Sequence, residues 1–329
     1  MDTQHPFSRF IRTLGRGKQG SRSLSQDDAF EAMRMIMEGH VEPEQLGAFL
    51  MLVRVKEETP EEVAGFVHAV RQHIQLPGNT PTIDLDWSSY AGKRRHLPWF
   101  VLSVLLLADN GYKVFMHGLQ GRKDERIYTP AVLEYLGLPI SQSLADTATR
   151  LEQHNFAYLN LDQLCPRLQQ LIELRELLGL RSPVHTVARM LNPFSAPCQM
   201  QGIFHPGYLE IHQGAAQILN QPHMAVIKGD GGEIEASPDS PCKLMSVHDN
   251  QMQNEEWPAL LNSRAVKPKI LELENLKQLW RGTCEYSYGE AAVINTLAIT
   301  LYAMGKTNTR EEAFNLAAEK WTLRSKDLI

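Results

Sequence analysis

A cationic loop follows a strand-like run near residue 85. The segment SSYAGKRRHLPW, Ser88 to Trp99, lies between TIDLD, in which apolar residues alternate, and the apolar run FVLSVLLLADNG. Loops between a strand and a helix often bind phosphate through backbone N–H groups, and glycines let the backbone approach the ligand. This loop has one glycine, Gly92, followed by Lys93, Arg94 and Arg95. The pattern predicts either a phosphate-binding loop or a loop converted to bind another anion.

Cysteine and histidine spacing does not predict a metal site. No CxxC pair and no HExxH motif occurs in the sequence. Unpaired thiols are typical of a reducing compartment, and no apolar run reaches the length of a membrane span. We therefore expect a cytoplasmic protein with no membrane association. Because the net charge is −5, a nucleic-acid partner would need a local basic surface.

The 329 residues divide into a helical part and an alternating part. Ser25 and Thr59 are expected to cap two helices, with Pro43 at the start of the helix between them. Strand-like runs then alternate with helical ones, which favours a sheet covered by helices. The strand candidates are TIDLD, KVFMHG, FAYLNL, MAVIKG and KLMSVHD.

The predicted fold class is therefore α/β, with a small N-terminal α-helical domain and a larger α/β domain that has a mostly parallel sheet. We place the first domain at residues 1–76 and the second at 77–329, with LPGNTP (Leu76–Pro81) as the linker. Two late helices are expected, one over Gly289–Tyr302 and one capped by Thr309. They are expected to belong to the second domain, and some late helices could pack back on the first.

The order of these elements and motifs resembles the anthranilate phosphoribosyltransferases and the related nucleoside phosphorylases. The most specific part is the helical segment from Leu24 to Arg71. It is followed in the family's order by GYKVFMHG, LEYLGLPI, ELRELLGLRSPVHTVARMLNPF and VIKGDGGEIEASP. The resemblance implies a homodimer joined through the helical domain, with an active site in the cleft between domains.

The motifs that bind the phosphoribosyl donor in this family depart from the family pattern here. The GTGGD-type loop is SYAGK, with bulky Tyr90 and Lys93 beside the single Gly92. The KHGNR motif is MHGLQ, which keeps only His117 and Gly118. The Asp-Glu pair that holds magnesium is replaced by GGEIE, which offers Glu233 and Glu235. On the acceptor side, Arg175 in RELLGLR matches the arginine that contacts the anthranilate carboxylate.

Phosphoribosyl transfer needs its diphosphate leaving group neutralised by a metal and by hydrogen-bond donors. Because several of those groups are replaced here, we expect little transfer activity and no cofactor. Magnesium would be needed only if the chain is an active transferase or phosphorylase that uses another sugar phosphate, which is the alternative function. A third possibility is a regulatory protein that senses a small anion.

The remaining basic residues form clusters that are typical of phosphate-backbone binding. The chain also resembles the YbiB-type branch of the family through its GRGK element, residues 15–18, and its MHG substitution. That branch implies a homodimer that binds single- or double-stranded nucleic acid without sequence preference. Solvated surface charge is the ordinary alternative for such clusters. The nucleic-acid candidates are Arg9, Arg12, Arg16, Lys18, Arg22, Lys93, Arg94, Arg95, Arg122, Lys123 and Arg126.

Overall fold

The structure is a computed structural model that describes residues 4–17, 19–121 and 126–329, and it opens with a helical module. The module's helices are α1 (Ser8–Gly15), α2 (Gln26–Met37), α3 (Pro43–Lys56) and α4 (Pro60–Arg71). Lys18, Arg122 and Lys123, three of the nucleic-acid candidates, lie outside the described residues.

The predicted helix caps of this module are confirmed. The Ser25 hydroxyl accepts a hydrogen bond from the Asp28 N–H at 3.1 Å. At the start of α4, Thr59 and Glu62 exchange side-chain to backbone hydrogen bonds of 3.3 and 2.9 Å. These contacts satisfy N–H groups that the first helical turn leaves without partners.

Seven strands of the described chain form one sheet in the order β3-β2-β1-β4-β5-β6-β7. The first five strands in that order are parallel, β6 is antiparallel to both of its neighbours, and β7 therefore runs in the same direction as the first five. The mostly parallel sheet is therefore confirmed. The strands are β1 (Leu85–Ser89), β2 (Val114–Gly118), β3 (Phe156–Asn160), β4 (Cys198–Ile203), β5 (His223–Lys228), β6 (Cys242–His248) and β7 (Gln251–Trp257).

Helices cover both faces of this sheet. After α4, they are α5 (Phe100–Asp109), α6 (Thr129–Leu136), α7 (Leu144–His154), α8 (Leu161–Leu164), α9 (Pro166–Leu178), α10 (Val184–Ala188), α11 (Tyr208–Ile218), α12 (Glu274–Arg281), α13 (Ser287–Ala303) and α14 (Arg310–Leu323). No helix in the described ranges is long and apolar enough to cross a membrane.

Alternate residues of the strands contribute to two separate cores. The helical module, α9, α10 and α11 pack on one face of the sheet, where Phe115 and Val226 are buried. Helices α5, α13 and α14 pack on the other face, where Trp87 and Met200 are buried. Outside the helical module, the main described helices that contact α4 are therefore α10 and α11. Helix α13 packs against α5 and α14, so the expectation that late helices pack on the first module is wrong for α13 and α14.

Close packing of α2 on α4 gives a stability prediction. A Cβ added at Gly65 would lie 2.4 Å from the Gln26 carbonyl oxygen and 2.8 Å from the Phe30 nitrogen. We expect Gly65→Ala to lower the free energy of unfolding by about 1–3 kcal/mol, because backbone atoms cannot move aside cheaply. Urea unfolding followed by circular dichroism measures the change.

Gly47 in α3 is the matched control. The nearest atom to a Cβ added there is 4.0 Å away, so Gly47→Ala should stabilise the protein by up to about 1 kcal/mol through helix propensity. Equal effects of the two substitutions would contradict the packing of α2 on α4.

Candidate functional site

The loop after β1 binds a carboxylate of the protein's own chain. The N–H groups of Ala91 and Gly92 both donate to the Glu233 carboxylate oxygen Oε1, at 2.6 and 2.5 Å. Gly92 adopts a φ of +66°, which helps successive N–H groups converge on one atom. Burial raises the pKa of Glu233, whereas the two N–H groups and the Arg189 guanidinium act in the opposite direction. The predicted anion-binding loop therefore has an internal ligand.

Lys93 is also committed to contacts within the chain. Its ammonium is fully buried and lies 2.6 Å from carboxylate oxygens of both Glu235 and Asp230. Burial alone would lower the pKa of Lys93, but the two carboxylates outweigh it and raise that pKa above its usual value. The prediction that Lys93 belongs to an exposed basic surface is therefore wrong, because no solvent reaches its charge.

Glu235 links this ion pair to a helix terminus. Its second oxygen, Oε2, accepts a 2.9 Å hydrogen bond from the N–H of Phe100, the first residue of α5. Helix N-termini attract anions because their N–H groups have no partner within the helix. The two donor groups suited to phosphate, the Ala91–Gly92 pair and the α5 N-terminus, are thus both occupied by side-chain carboxylates.

These contacts do not suit the residues to magnesium binding. Glu233 and Glu235 point towards backbone N–H groups and Lys93, and Asp230 pairs with the same lysine. A hard cation requires several oxygen ligands directed at one point. In the described ranges, no group of three or more His, Cys, Asp or Glu side chains is arranged to hold a metal ion.

His117 and Tyr90 belong to a buried polar chain on the neighbouring strands. The Tyr90 hydroxyl lies 2.6 Å from His117 Nδ1, and His117 Nε2 lies 3.3 Å from the Asp86 carboxylate. The same carboxylate accepts a 3.0 Å hydrogen bond from the Gln199 amide. All four side chains are at least 95 % buried. His117 therefore has a structural role: it connects Tyr90 of the loop to Asp86 on β1. Gly118 ends β2 next to Ser89, where an added Cβ would lie 1.9 Å from the Ser89 carbonyl oxygen.

A cationic pocket of about 100 Å³ lies between the helical module and the sheet domain. Arg54 of α3, Arg181 and Arg189 line it, together with His185 and Glu58. Burial and the neighbouring arginines lower the pKa of Arg181 to about 10. Burial, Arg189 and Arg181 also lower the pKa of His185 to about 3, so this imidazole is neutral at pH 7.

The pocket retains unbalanced positive charge. No hydrogen bond or ion pair joins Arg181 to the rest of the described chain, although Arg54 donates to the Tyr208 hydroxyl at 2.6 Å. Glu58 is 3 % exposed and accepts from Thr186 at 2.9 Å, and burial raises its pKa. Two or more arginines around a single carboxyl group make a site suited to a small anion.

The remaining sequence candidates lie in different places. Arg175 is exposed on α9 and does not line the pocket, although its charge contributes to the lowered pKa of Arg181. Arg126 donates to the carbonyls of Ala91, Gly92 and Gly231 at 3.0–3.3 Å, and so it fixes the loop. The exposed candidates are Arg9, Arg12, Arg16, Arg22, Arg94 and Arg95.

Sequence reasoning missed the cationic lining of the pocket. Arg181, His185 and Arg189 lie in the stretch RSPVHTVAR, which contains no acid. That concentration of basic residues was available in the sequence. The contribution of Arg54 was not, because it depends on how the helical module packs against the sheet domain.

Comparison with protein families and known proteins gives one consistent result. The family model described as "Glycosyl transferase family, helical bundle domain" matches residues 8–74. An uncharacterized protein of Aquifex aeolicus is 31 % identical over 314 residues, which cover 93 % of this chain and 96 % of that protein. The uncharacterized protein YbiB of Escherichia coli is 26 % identical over 251 residues, 74 % of this chain and 77 % of YbiB.

Enzymes of known name are similar over the same length. The anthranilate phosphoribosyltransferase of Burkholderia multivorans is 26 % identical over 307 residues, 91 % of this chain and 89 % of the enzyme. The crystal structure of anthranilate phosphoribosyltransferase from Thermus thermophilus has a TM-score of 0.76 at 22 % identity and covers 95 % of this chain. The match covers 94 % of the Thermus enzyme's chain, which supports the fold described above.

Proposed function

The chain belongs to the anthranilate phosphoribosyltransferase-like family, and from that premise we propose that it binds nucleic acid as a homodimer and does not transfer phosphoribosyl groups. The proposal that the chain does not transfer phosphoribosyl groups rests on the Glu233 carboxylate bound in the loop after β1. The proposal that it binds nucleic acid rests on the exposed arginines of the helical module and of the same loop.

An occupied loop disfavours binding of a diphosphate donor. The leaving group of a phosphoribosyl transfer must be stabilised by donors placed where its charge develops. Here the N–H groups of Ala91, Gly92 and Phe100 already donate to Glu233 and Glu235. A diphosphate would have to displace two buried carboxylates, and it would meet their negative charge while doing so.

The arginines of α1 form an exposed basic face. Phe10 and Leu14 are buried against the module, whereas Arg9, Arg12 and Arg16 are exposed on the other side of the helix or just beyond it. Residues 4–25 contain no acid. The only ion pair described for these three arginines joins Arg9 to Asp28 at 3.9 Å. Such a surface suits contacts with successive phosphates, which are independent of base sequence.

Arg94 and Arg95 form a second exposed basic cluster, on the sheet domain. Both are exposed and directly follow the buried Lys93. A homodimer, which the family resemblance favours, would present each cluster twice and raise avidity for a long polyanion. Sedimentation equilibrium measures that oligomeric state.

Replacing the α1 arginines tests the nucleic-acid proposal. We expect the triple variant Arg9→Ala, Arg12→Ala, Arg16→Ala to bind a labelled single-stranded oligonucleotide at least tenfold more weakly at low salt. The slope of log K against log salt should fall by about 0.7 for each lost phosphate contact. Fluorescence anisotropy at several salt concentrations measures both quantities.

The matched control removes three cations elsewhere. Lys113→Ala, Lys277→Ala and Lys320→Ala change the net charge equally and lie outside both clusters. Equal weakening by the two triple variants would show that α1 has no special role.

The pocket at Arg181 favours a second candidate function, the binding of a small anion such as a sugar phosphate. This would suit either an enzyme acting on another sugar phosphate or a regulatory protein. We expect ribose 5-phosphate to raise the melting temperature of the wild type, because a ligand that binds only the folded state stabilises it. Arg181→Ala should abolish that increase, whereas Arg175→Ala should leave it unchanged. No increase in the wild type would exclude this ligand class.

A further inference from the structure

A groove with aromatic walls lies at the end of the loop after β1 that leads into α5, and its lining shares no residue with the cationic pocket. It has a volume of about 270 Å³ and is formed where residues 96–99, residues 266–271 and the start of α13 meet. Tyr286 and Tyr288 are half-buried in its wall, and His96 stacks on Tyr288 with ring centroids 4.1 Å apart. Trp99 lies 6.1 Å from Tyr286 and is 5 % exposed. The groove therefore offers flat rings at two half-exposed positions.

The second wall of the groove is a long segment without helix or strand. Residues 258–273 connect β7 to α12. Loops of this length without regular structure are uncommon in compact domains and are often functional. Val266 is 93 % exposed and Ile270 is 72 % exposed, and both line the groove. Apolar side chains exposed in this way do not stabilise the fold, and exposed apolar patches often mark binding sites.

The segment that forms the second wall of the groove is rich in cations. Residues 258–271 contain three cations, Arg264, Lys267 and Lys269, and no acid. Burial lowers the pKa of His96, Asp230 and Asp239 act in the opposite direction, and Lys93 and Lys267 contribute to the lowering, so charges of both signs act on the ring. Arg95 precedes His96 and is exposed. Two acids also lie near His96 and have partners of their own. Asp230 pairs with Lys93, and Asp239 accepts from the Ser237 hydroxyl and the Ala265 N–H. Glu272 and Glu274 act on Tyr286.

We propose that this groove holds bases of single-stranded nucleic acid against Tyr286 and Tyr288, while Arg95, Lys267 and Lys269 contact the flanking phosphates. The inference rests on the proposed nucleic-acid binding and assigns it a strand type and a place. Rings flanked by cations bind single strands because every base has a face for stacking and every phosphate a charge. The exposed side chains of Arg95 and Lys267 supply the complementary charge. Duplex DNA keeps its bases stacked on each other, so it cannot use the rings.

The test compares a labelled oligothymidylate with a labelled duplex of the same length, using the full chain and fluorescence anisotropy. Tyr286→Leu with Tyr288→Leu should weaken single-strand binding by at least about fivefold, the lower limit for losing a single base–aromatic stack. Duplex binding should stay within twofold of the wild type. The conservative pair Tyr286→Phe with Tyr288→Phe keeps the rings and should retain single-strand binding.

A surface variant keeps the test valid if the leucine variant unfolds. Lys267→Ala with Lys269→Ala changes only exposed side chains and should weaken oligothymidylate binding at least fivefold, with a smaller salt slope. The control, Lys113→Ala with Lys320→Ala, removes the same charge. Lys113 precedes β2, at the edge of the sheet opposite the loop that follows β1. Equal losses in these two variants would overturn the groove proposal.

The outcomes separate this inference from the function on which it rests. If the wild type binds neither oligothymidylate nor duplex, the proposed function itself fails. If it binds both and the leucine variant weakens them equally or not at all, only the groove is wrong. Competition by polyglutamate as effective as that by unlabelled oligothymidylate would identify an acidic peptide as the occupant and would also overturn the proposal.

Discussion

Replacing Lys93 by methionine is expected to lower the free energy of unfolding by about 3–5 kcal/mol, the cost of removing one partner from a buried ion pair. Lys93 is fully buried between Glu235 and Asp230, at 2.6 Å from each. Methionine has a similar length and no charge, so it leaves the Glu235 carboxyl without a cation in a dry environment, where burial already raises its pKa. Urea unfolding at pH 7 measures the loss.

A double variant separates the ion pair from simple packing. Adding Glu235→Gln to Lys93→Met removes the orphaned charge, and the side chain of Asp230 is 19 % exposed and can be hydrated. We expect the double variant to recover at least half of the lost stability. Lys243→Met, on an exposed position of β6, should change stability by no more than about 0.5 kcal/mol. A single variant Lys93→Met as stable as the wild type would contradict the buried ion pairs.

Replacing Glu233 by alanine should create a binding site for inorganic pyrophosphate. The substitution leaves the Ala91 and Gly92 N–H groups buried without an acceptor, at a cost of about 2–4 kcal/mol for the two groups together. It also removes the negative charge that repels a phosphate at this point. We expect a lower melting temperature than that of the wild type and a larger increase on adding pyrophosphate.

Two controls identify the source of that increase. Glu173→Ala removes an exposed carboxylate on α9 and should leave the response to pyrophosphate at the wild-type level. Arg181→Ala combined with Glu233→Ala removes the neighbouring cationic pocket as a second site. If Glu233→Ala responds no more strongly than the wild type, the loop is not an anion site closed by its own carboxylate.

The helical module could be predicted well because its signals are local. Ser25, Pro43 and Thr59 mark helix starts through contacts within three or four residues, and all three predictions are confirmed. Strand positions were less certain. The predicted strand TIDLD begins three residues before β1, which runs from Leu85 to Ser89.

Two strands were missed for opposite reasons. In β4, the polar residues Gln199 and Gln201 are buried in a hydrogen-bonded network. The strand therefore lacks the continuous apolar run that is typical of a strand inside a parallel sheet. In β7, most side chains are exposed at the edge of the sheet, and the sequence QMQNEEW resembles a loop. Neither pattern indicates a strand until its neighbours are known.

The candidate site shows the same limit more sharply. The sequence drew attention to Gly92, Lys93, Glu233 and Glu235 as departures from the family pattern. It could not show that these departures contact each other across about 140 positions of chain, because burial and pairing depend on the sheet that brings the two segments together. Lys93 was consequently grouped with the exposed Arg94 and Arg95, although the three residues are consecutive and differ only in where their side chains point.

The most direct test of nucleic-acid binding is an anisotropy titration of the wild type with a labelled single-stranded oligonucleotide at low and moderate salt, with and without inorganic pyrophosphate. We expect binding that weakens roughly 20-fold between about 50 and 200 mM salt if three arginines contact phosphates. We also expect that pyrophosphate at the same ionic strength does not displace the oligonucleotide. Absence of binding at low salt, or displacement by stoichiometric pyrophosphate, would contradict the proposal.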